Sequence, residues 1–132
     1  MRFFVHESLA QRVVFAPGAA GSAVADEVSR LGAERLMVIA APSAAALADA
    51  VSADLPVAAR HDDVEMHVPI AVADRAREAA VRANADALLC IGGGSATGLA
   101  KAIVMTGSPA AGIPIIAVPT TYAGSEATNV WG

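Results

Sequence analysis

Unbroken apolar runs, each separated from the next by a helix-length stretch, constrain this chain more than any other feature. Leu36-Met37-Val38-Ile39 and Ala87-Leu88-Leu89-Cys90-Ile91 are apolar at every position, and the run from Ile113 to Val118 is interrupted only by Pro114. A strand wet on one face alternates in polarity, whereas one that is apolar throughout is covered on both faces. Between the runs, Ala20, Val24, Val28 and Leu31 recur at helical spacing, and Gly32 follows as a C-terminal cap. After Ala41, Pro42-Ser43 punctuates the chain, and Ser43 is the expected N-cap of a helix reaching about Asp54. Pro69 suits the first turn of an Ala-rich helix to about Asn84, and a further helix is expected from Ser95 to about Thr106. Arg12 to Ala16, closed by Pro17-Gly18, reads as a first strand, Leu55 to Ala59 as a weaker third, and His61 to Glu65 as a loop. Strands alternating with helices imply βαβ units, right-handed crossovers and a mostly parallel sheet, so the expected fold class is α/β.

At 132 residues the chain is the size of a single domain. A fold of that size buries roughly two-thirds of its unfolded surface. Hydrophobic residues make up 55% of it and aromatics only 4%, so Ala, Val, Leu and Ile must fill the core. The net charge of −4 argues against a nucleic-acid surface, which is basic. From Leu88 to Gly132 the only charged side chains are Lys101 and Glu126, which makes this segment core or an interface. Cys90, the single cysteine, lies in an apolar run and reads as a small packed hydrophobe. It has no disulfide partner in the chain, which favours a reducing compartment. The opening Met1 to Glu7 lacks a signal-peptide layout. No stretch approaches the roughly 20 apolar residues of a membrane span, so a soluble cytoplasmic protein without membrane partners is expected.

The chemistry is concentrated in two turns at strand ends. In the first, Ile91 gives way to Gly92-Gly93-Gly94-Ser95, ahead of the helix through Ala96-Thr97-Gly98-Leu99-Ala100-Lys101. A helix N-terminus offers free N–H groups and a partial positive charge, and glycines let a phosphate approach the backbone. The spacing excludes a Walker A loop, because Leu99 follows Gly98 and Lys101 arrives too late. It also excludes the G-x-G-x-x-G fingerprint, because Thr97 stands where the third glycine belongs. What remains is another kind of nucleotide loop or a purely structural turn. The second turn runs from Pro119 through Thr120-Thr121-Tyr122-Ala123-Gly124-Ser125-Glu126-Ala127 to Thr128 and stacks hydroxyl groups after a strand. These can serve ribose, amide or phosphate, or simply cap a helix through Thr121 or Ser125. Both turns, with Ala41-Pro42-Ser43, fall on the carboxyl edge of a parallel sheet, where such sheets bind ligands.

GGGSATGLAKAI (Gly92 to Ile103) and PTTYAGSEAT (Pro119 to Thr128) resemble the paired signatures of the iron-containing alcohol dehydrogenase superfamily, and within it the maleylacetate reductase branch. RVVFAPGA (Arg12 to Ala19) and Met66-His67-Val68-Pro69 fit the same branch, so the resemblance spans almost the whole chain. It implies a Rossmann-like domain that binds NADH or NADPH, followed in the family by a helical domain that carries any metal ligands and lies outside this sequence. By position it implies that Gly93, Gly94 and Ser95 surround the pyrophosphate. Thr120 and Thr121 would contact the adenosine or nicotinamide half, Ser125 would approach the nicotinamide side, and Pro42 and Ser43 would border the adenosine ribose. No catalytic residue or metal ligand carries over: His6, His61 and His67 precede the motifs and read as surface or structural, although the loop of His67 lies near the cofactor edge.

The implied activity is NAD(P)H-dependent reduction of maleylacetate to 3-oxoadipate in aromatic degradation, by a homodimer acting on a small dicarboxylate. Gly98, where many superfamily alcohol dehydrogenases carry Asp, fits the reductase branch. The second strand ends in Ala40-Ala41-Pro42-Ser43 with no acid to bind a ribose diol and repel a 2′-phosphate, which predicts weak discrimination between NADH and NADPH. Lys101 is either a core-edge lysine or a cofactor or substrate contact. The tail from Ala127 to Gly132, with Trp131, is expected to be exposed. A stand-alone nucleotide-binding module and an inactive truncated remnant are the alternatives to a reductase half.

Overall fold

The computed structural model describes Phe3, Val5 and residues 10–127. His6, Thr128 and Trp131, and most of the tail singled out above, lie outside the described residues. The elements follow in the order α1 (Ala20–Leu31), β1 (Leu36–Ile39), α2 (Ala45–Ser52), β2 (Val57–His61), α3 (Ile70–Arg82), β3 (Ala87–Gly92), α4 (Gly94–Val104) and β4 (Ile115–Pro119). The four strands form one parallel sheet in the order β2-β1-β3-β4.

The unbroken apolar runs explain the layers. β1 and β3 are central and buried at every position, because helices cover both faces. Met37, Ile39, Leu88 and Cys90 point to α3 and α4, where they meet Val72, Ala76, Leu99 and Ile103. Leu36, Val38, Leu89 and Ile91 point the other way, to Val24 and Val28 of α1 and Ala48 and Val51 of α2. Successive residues thus serve opposite cores, as the period of a strand requires. Alanines on α3 and α4 allow close approach to the sheet, and few aromatics are needed to fill the gap.

Helix ends follow local rules. Gly32 closes α1 in the left-handed region (φ 66°), and the Ala33 N–H donates to the Val28 carbonyl at 3.1 Å. Asn84 (φ 49°) plays the same part after α3, where the Ala85 N–H donates to Ala80 at 3.0 Å. Prolines trim two strands, because each lacks an N–H but keeps a carbonyl. Pro56 accepts from Leu36 at 2.9 Å just before β2, and Pro114 accepts from Leu88 at 2.9 Å just before β4. This is why β4 starts at Ile115 rather than Ile113 and β2 at Val57 rather than Leu55, while β2 takes in His61, expected to be loop, because the Ala40 N–H donates to its carbonyl at 3.1 Å.

Two local expectations are corrected. Arg12 to Ala16 pairs with no strand among the described residues, and Val13 and Phe15 are 81% and 91% exposed. β-branched and aromatic side chains favour a strand only where an edge and a covering face are available. Polar contacts tie the segment to the fold: Arg12 pairs with Glu27 of α1 at 2.7 Å, and Gln11 Nε2 donates to the Glu126 carbonyl at 2.6 Å. Ser43 is not an N-cap. Pro42–Ala44 forms a single 3-10 turn before α2, and no side chain caps either element.

Candidate functional site

The strand order creates a switch point. From β1 the chain crosses to β2 on one side, and from β3 it crosses to β4 on the other. The carboxyl ends of β1 and β3 are therefore adjacent, with Ile39 paired to Cys90, and their connections lead away in opposite directions. Open parallel sheets form a ligand crevice at such a point. Pro42 and Ser43, both exposed, leave the end of β1, and the glycine turn leaves the end of β3 beside them.

Gly92 ends β3 with φ at 146°, a region that L side chains rarely adopt, and an added Cβ would stand 3.2 Å from that of Ala96. Gly93 is the N-cap of α4 in extended conformation and supplies no side-chain cap. The first turn of α4 contains no acidic residue. The Thr97 N–H reaches the Gly93 carbonyl at 3.3 Å, while the N–H groups of Gly94, Ser95 and Ala96 precede the first helical bond. Gly93, Gly94 and Ser95 are half-buried, so this donor cluster lies at the surface of the crevice.

The hydroxyl-rich loop lies against the glycine turn. The Thr120 N–H donates to the Gly92 carbonyl at 2.9 Å, continuing the β3–β4 pairing into the turn. A Cβ on Gly93 would come within 3.3 Å of Thr121 Cγ2 and Oγ1, and one on Gly94 within 3.5 Å of the Ala123 Cβ. Pro119, Thr120, Thr121, Tyr122, Gly124 and Glu126 line a hollow of about 450 Å³. Tyr122 is fully exposed. Ser125 lies in a closing 3-10 turn (Ser125–Ala127), further along α4 and away from the glycines.

Lys101 meets this loop from below. Its Nζ donates to the Ser125 carbonyl and lies 3.3 Å from Ser125 Oγ. Burial lowers its pKa from the ordinary lysine value, and the nearby Glu126 carboxylate opposes that shift. The two charges that stand alone in the sequence beyond Leu88 therefore come together in space, which was a usable sequence signal. Beneath them Cys90 is buried, and its thiol is pushed up to about 11 by burial, against a hydrogen bond from Thr97. A neutral buried thiol is a packing group, not a nucleophile.

The remaining described histidines lie at and beyond the end of β2. His61 ends β2 half-buried, with Nε2 enclosed and without a hydrogen-bond partner among the described residues. His67 is exposed in the turn before α3, where it and Val68 adopt φ of 63° and 44°. Among the described residues no three His, Cys, Asp or Glu side chains gather as a metal site, so a metal finds no donor set there. A larger groove, about 710 Å³, lies at the opposite edge of the sheet between α3 and the α4–β4 connection. Arg77 on that groove is engaged structurally, donating twice to the Ala102 carbonyl at the end of α4 and pairing with Asp74 at 2.8 Å. Among the described residues no helix is long and apolar enough to cross a membrane.

One structural feature of the residues present fits a dinucleotide diphosphate: the first amides of α4 are uncapped and Gly93 and Gly94 bear no side chains, while Thr121 and Ala123 of the neighbouring loop pack against them. Comparison with known proteins identifies the family. The profile of the iron-containing alcohol dehydrogenases matches residues 10–132. The chain is 42% identical to maleylacetate reductase 1 of Cupriavidus pinatubonensis, covering 100% of this chain and 36% of that protein. It is 46% identical to maleylacetate reductase 2 of the same organism, over 92% of this chain and 33% of that one. Among solved structures, an iron-containing alcohol dehydrogenase from Corynebacterium glutamicum superposes with a TM-score of 0.92 at 49% identity, covering 100% of this chain and 36% of its own. The maleylacetate reductase of Agrobacterium tumefaciens superposes at 0.82 with 38% identity, over 95% and 35% of the two chains. The chain thus spans little more than a third of the length of these relatives. With the profile matched across nearly all of its length, it belongs to the iron-containing alcohol dehydrogenase family.

Proposed function

We propose that this chain is the nicotinamide-dinucleotide-binding part of an NAD(P)H-dependent oxidoreductase that reduces maleylacetate to 3-oxoadipate. One observation carries the reading: at the switch point, where the carboxyl ends of β1 and β3 are adjacent, α4 begins uncapped with Gly93 and Gly94, which carry no side chains over its first amides. The names of the relatives supply the substrate class.

On this reading the amides of Gly94 and Ser95 bind the diphosphate, the Thr120 and Thr121 hydroxyls orient the dinucleotide across the glycine turn, and Pro42 and Ser43 border the adenosine ribose. Ser125 stands toward the nicotinamide side of the loop. Bound dihydronicotinamide would supply a hydride to the carbon–carbon double bond conjugated to the substrate ketone. No acid follows β1, so neither NADH nor NADPH is rejected at the ribose. The substrate dianion needs cations. Lys101 is the only one between Leu88 and Gly132, and it is engaged with Ser125. The substrate clamp and any metal are therefore assigned to the helical domain of the family, and the working enzyme to a cytoplasmic homodimer.

Titration of the chain with NADH and NADPH tests the first half: saturable binding of both supports it, and no binding at millimolar cofactor refutes it. Maleylacetate-dependent NADH oxidation, measured with and without a supplied helical domain, tests the second. Turnover only with the added domain is expected, and turnover by these 132 residues alone would refute the division of labour.

A further inference from the structure

We infer that Lys101 is a positioning residue: by holding Ser125 from the side of α4, it fixes the loop from Pro119 to Ala127 along that helix and so sets Thr120 and Thr121 over the glycine turn. The inference rests on the cofactor-binding reading above for its functional meaning, and on geometry for its structural content.

The loop is attached to the glycine-turn helix along its length. At its start, the Thr120 N–H donates to Gly92. In the middle, Thr121 and Ala123 touch the space above Gly93 and Gly94, contacts that hold position only if the loop is already in place. At its far end Lys101, two turns into α4, takes the Ser125 carbonyl and reaches its hydroxyl. Between these attachments Thr121, Tyr122 and Ala123 are exposed, and Gly124 adopts a left-handed conformation (φ 73°) open to solvent on its α-carbon. An exposed segment of this kind, anchored at both ends, depends on its end anchors for its shape. The Lys101 bond has a charged donor, which makes it stronger than a neutral one. Gln11 adds a second hold on the same closing turn through the Glu126 carbonyl, from outside the helix. Lys101 is half-buried and holds Ser125 by both its carbonyl and its hydroxyl, so the part assigned to it in binding acts through the loop.

The test uses Lys101→Met, which keeps the aliphatic stem, and Lys101→Arg, which keeps the charge and the donors. Hydrogen exchange at the amides from Thr120 to Ala127 and NADH affinity are read on each. For Lys101→Met, faster exchange confined to the loop, unchanged exchange in β1 and β3, and a loss of NADH affinity of about tenfold are expected, the size of one charged hydrogen bond. Lys101→Arg should restore both readouts. Adding Thr121→Ala to Lys101→Met should cost less affinity than Thr121→Ala alone, because a displaced hydroxyl has little left to lose. A merely structural lysine would not produce that coupling. Unchanged loop exchange in Lys101→Met overturns the inference. So does a fall in affinity without a change in exchange, which would make Lys101 a direct ligand contact. If the parent chain binds no NADH, the cofactor reading fails by itself, and the exchange data still decide whether Lys101 fixes the loop.

Discussion

Gly93→Ala places a single methyl group at the centre of the proposed diphosphate cradle. The backbone tolerates it, since Gly93 has φ −87° and ψ −161°. Its new Cβ would stand 3.3 Å from Thr121 Cγ2 and Oγ1, tight enough that Thr121 must yield by a few tenths of an ångström. Thr121 is exposed and can turn away, so the overpacking cost falls at or below the low end of the roughly 1–3 kcal/mol seen in closed cores. Replacing glycine also restricts the unfolded chain, which returns about 0.4–1 kcal/mol. Net stability should therefore change by no more than about 1 kcal/mol, a shift in Tm of about 4 °C for a domain of this size. Binding should respond far more. A methyl that keeps a phosphate from the amides of Gly94 and Ser95 removes a charged hydrogen bond of about 1.5–3 kcal/mol, or roughly 10- to 100-fold in Kd.

NADH fluorescence titration gives the affinity, and thermal unfolding gives the stability. Repeating both on a Thr121→Ala background separates the two routes by which the methyl could act. If it blocks the phosphate directly, the loss persists without the threonine. If it acts only by pushing Thr121, the loss disappears there. NADH affinity within threefold of the parent, in a protein of unchanged Tm, would refute the claim that this turn holds the diphosphate.

Other outcomes are equally specific. Gly92→Ala should destabilise the fold by about 1–3 kcal/mol, read as a lower urea midpoint, because φ of 146° strains any L residue and the new Cβ meets Ala96 at 3.2 Å. Leu88→Ala should cost about 2–5 kcal/mol by the same measurement, since the side chain is fully buried between the sheet and α3–α4. Cys90 should resist alkylation at neutral pH until the protein is unfolded. Its thiol pKa is raised from 9.0 to about 11, so the unfolded state ionises first and stability present below pH 9.0 is lost as pH rises toward about 11. Cys90→Ala should flatten that decline, and an unchanged slope would count against the burial of the thiol. Asp86→Ala should cost about 1–2 kcal/mol of stability, because its carboxylate accepts from the Glu34 and Arg35 amides at 2.8 and 3.0 Å.

Much of this molecule was legible before any coordinates. The unbroken runs at Leu36 and Ala87 announced central strands, because only double coverage permits such composition. Helix α1 ran from Ala20 to Leu31 as its spacing required, and Gly32 capped it. The glycine run and the hydroxyl cluster at strand ends mark Gly93, Gly94, Thr120 and Thr121 as turns, while their roles toward a ligand come only from the family resemblance. Local signals failed where a partner decided the outcome. Arg12 to Ala16 has strand-forming side chains, yet no strand of the described sheet takes it in. Ser43 has the chemistry of a cap, but Pro42 begins a 3-10 turn around it.

The sequence by itself determined the layers and the chemistry of the turns, because hydrophobic period and backbone freedom are local properties. Only the tertiary structure decided which turns meet. Strand order placed the end of β1 beside the glycine turn, and that order arises from how the helices divide between two faces of the sheet. The contact of Thr121 with Gly93, and the reach of Lys101 to Ser125, join residues that no spacing rule connects. Such contacts depend on the path of two loops in space, and that path is fixed only once the core beneath them has packed.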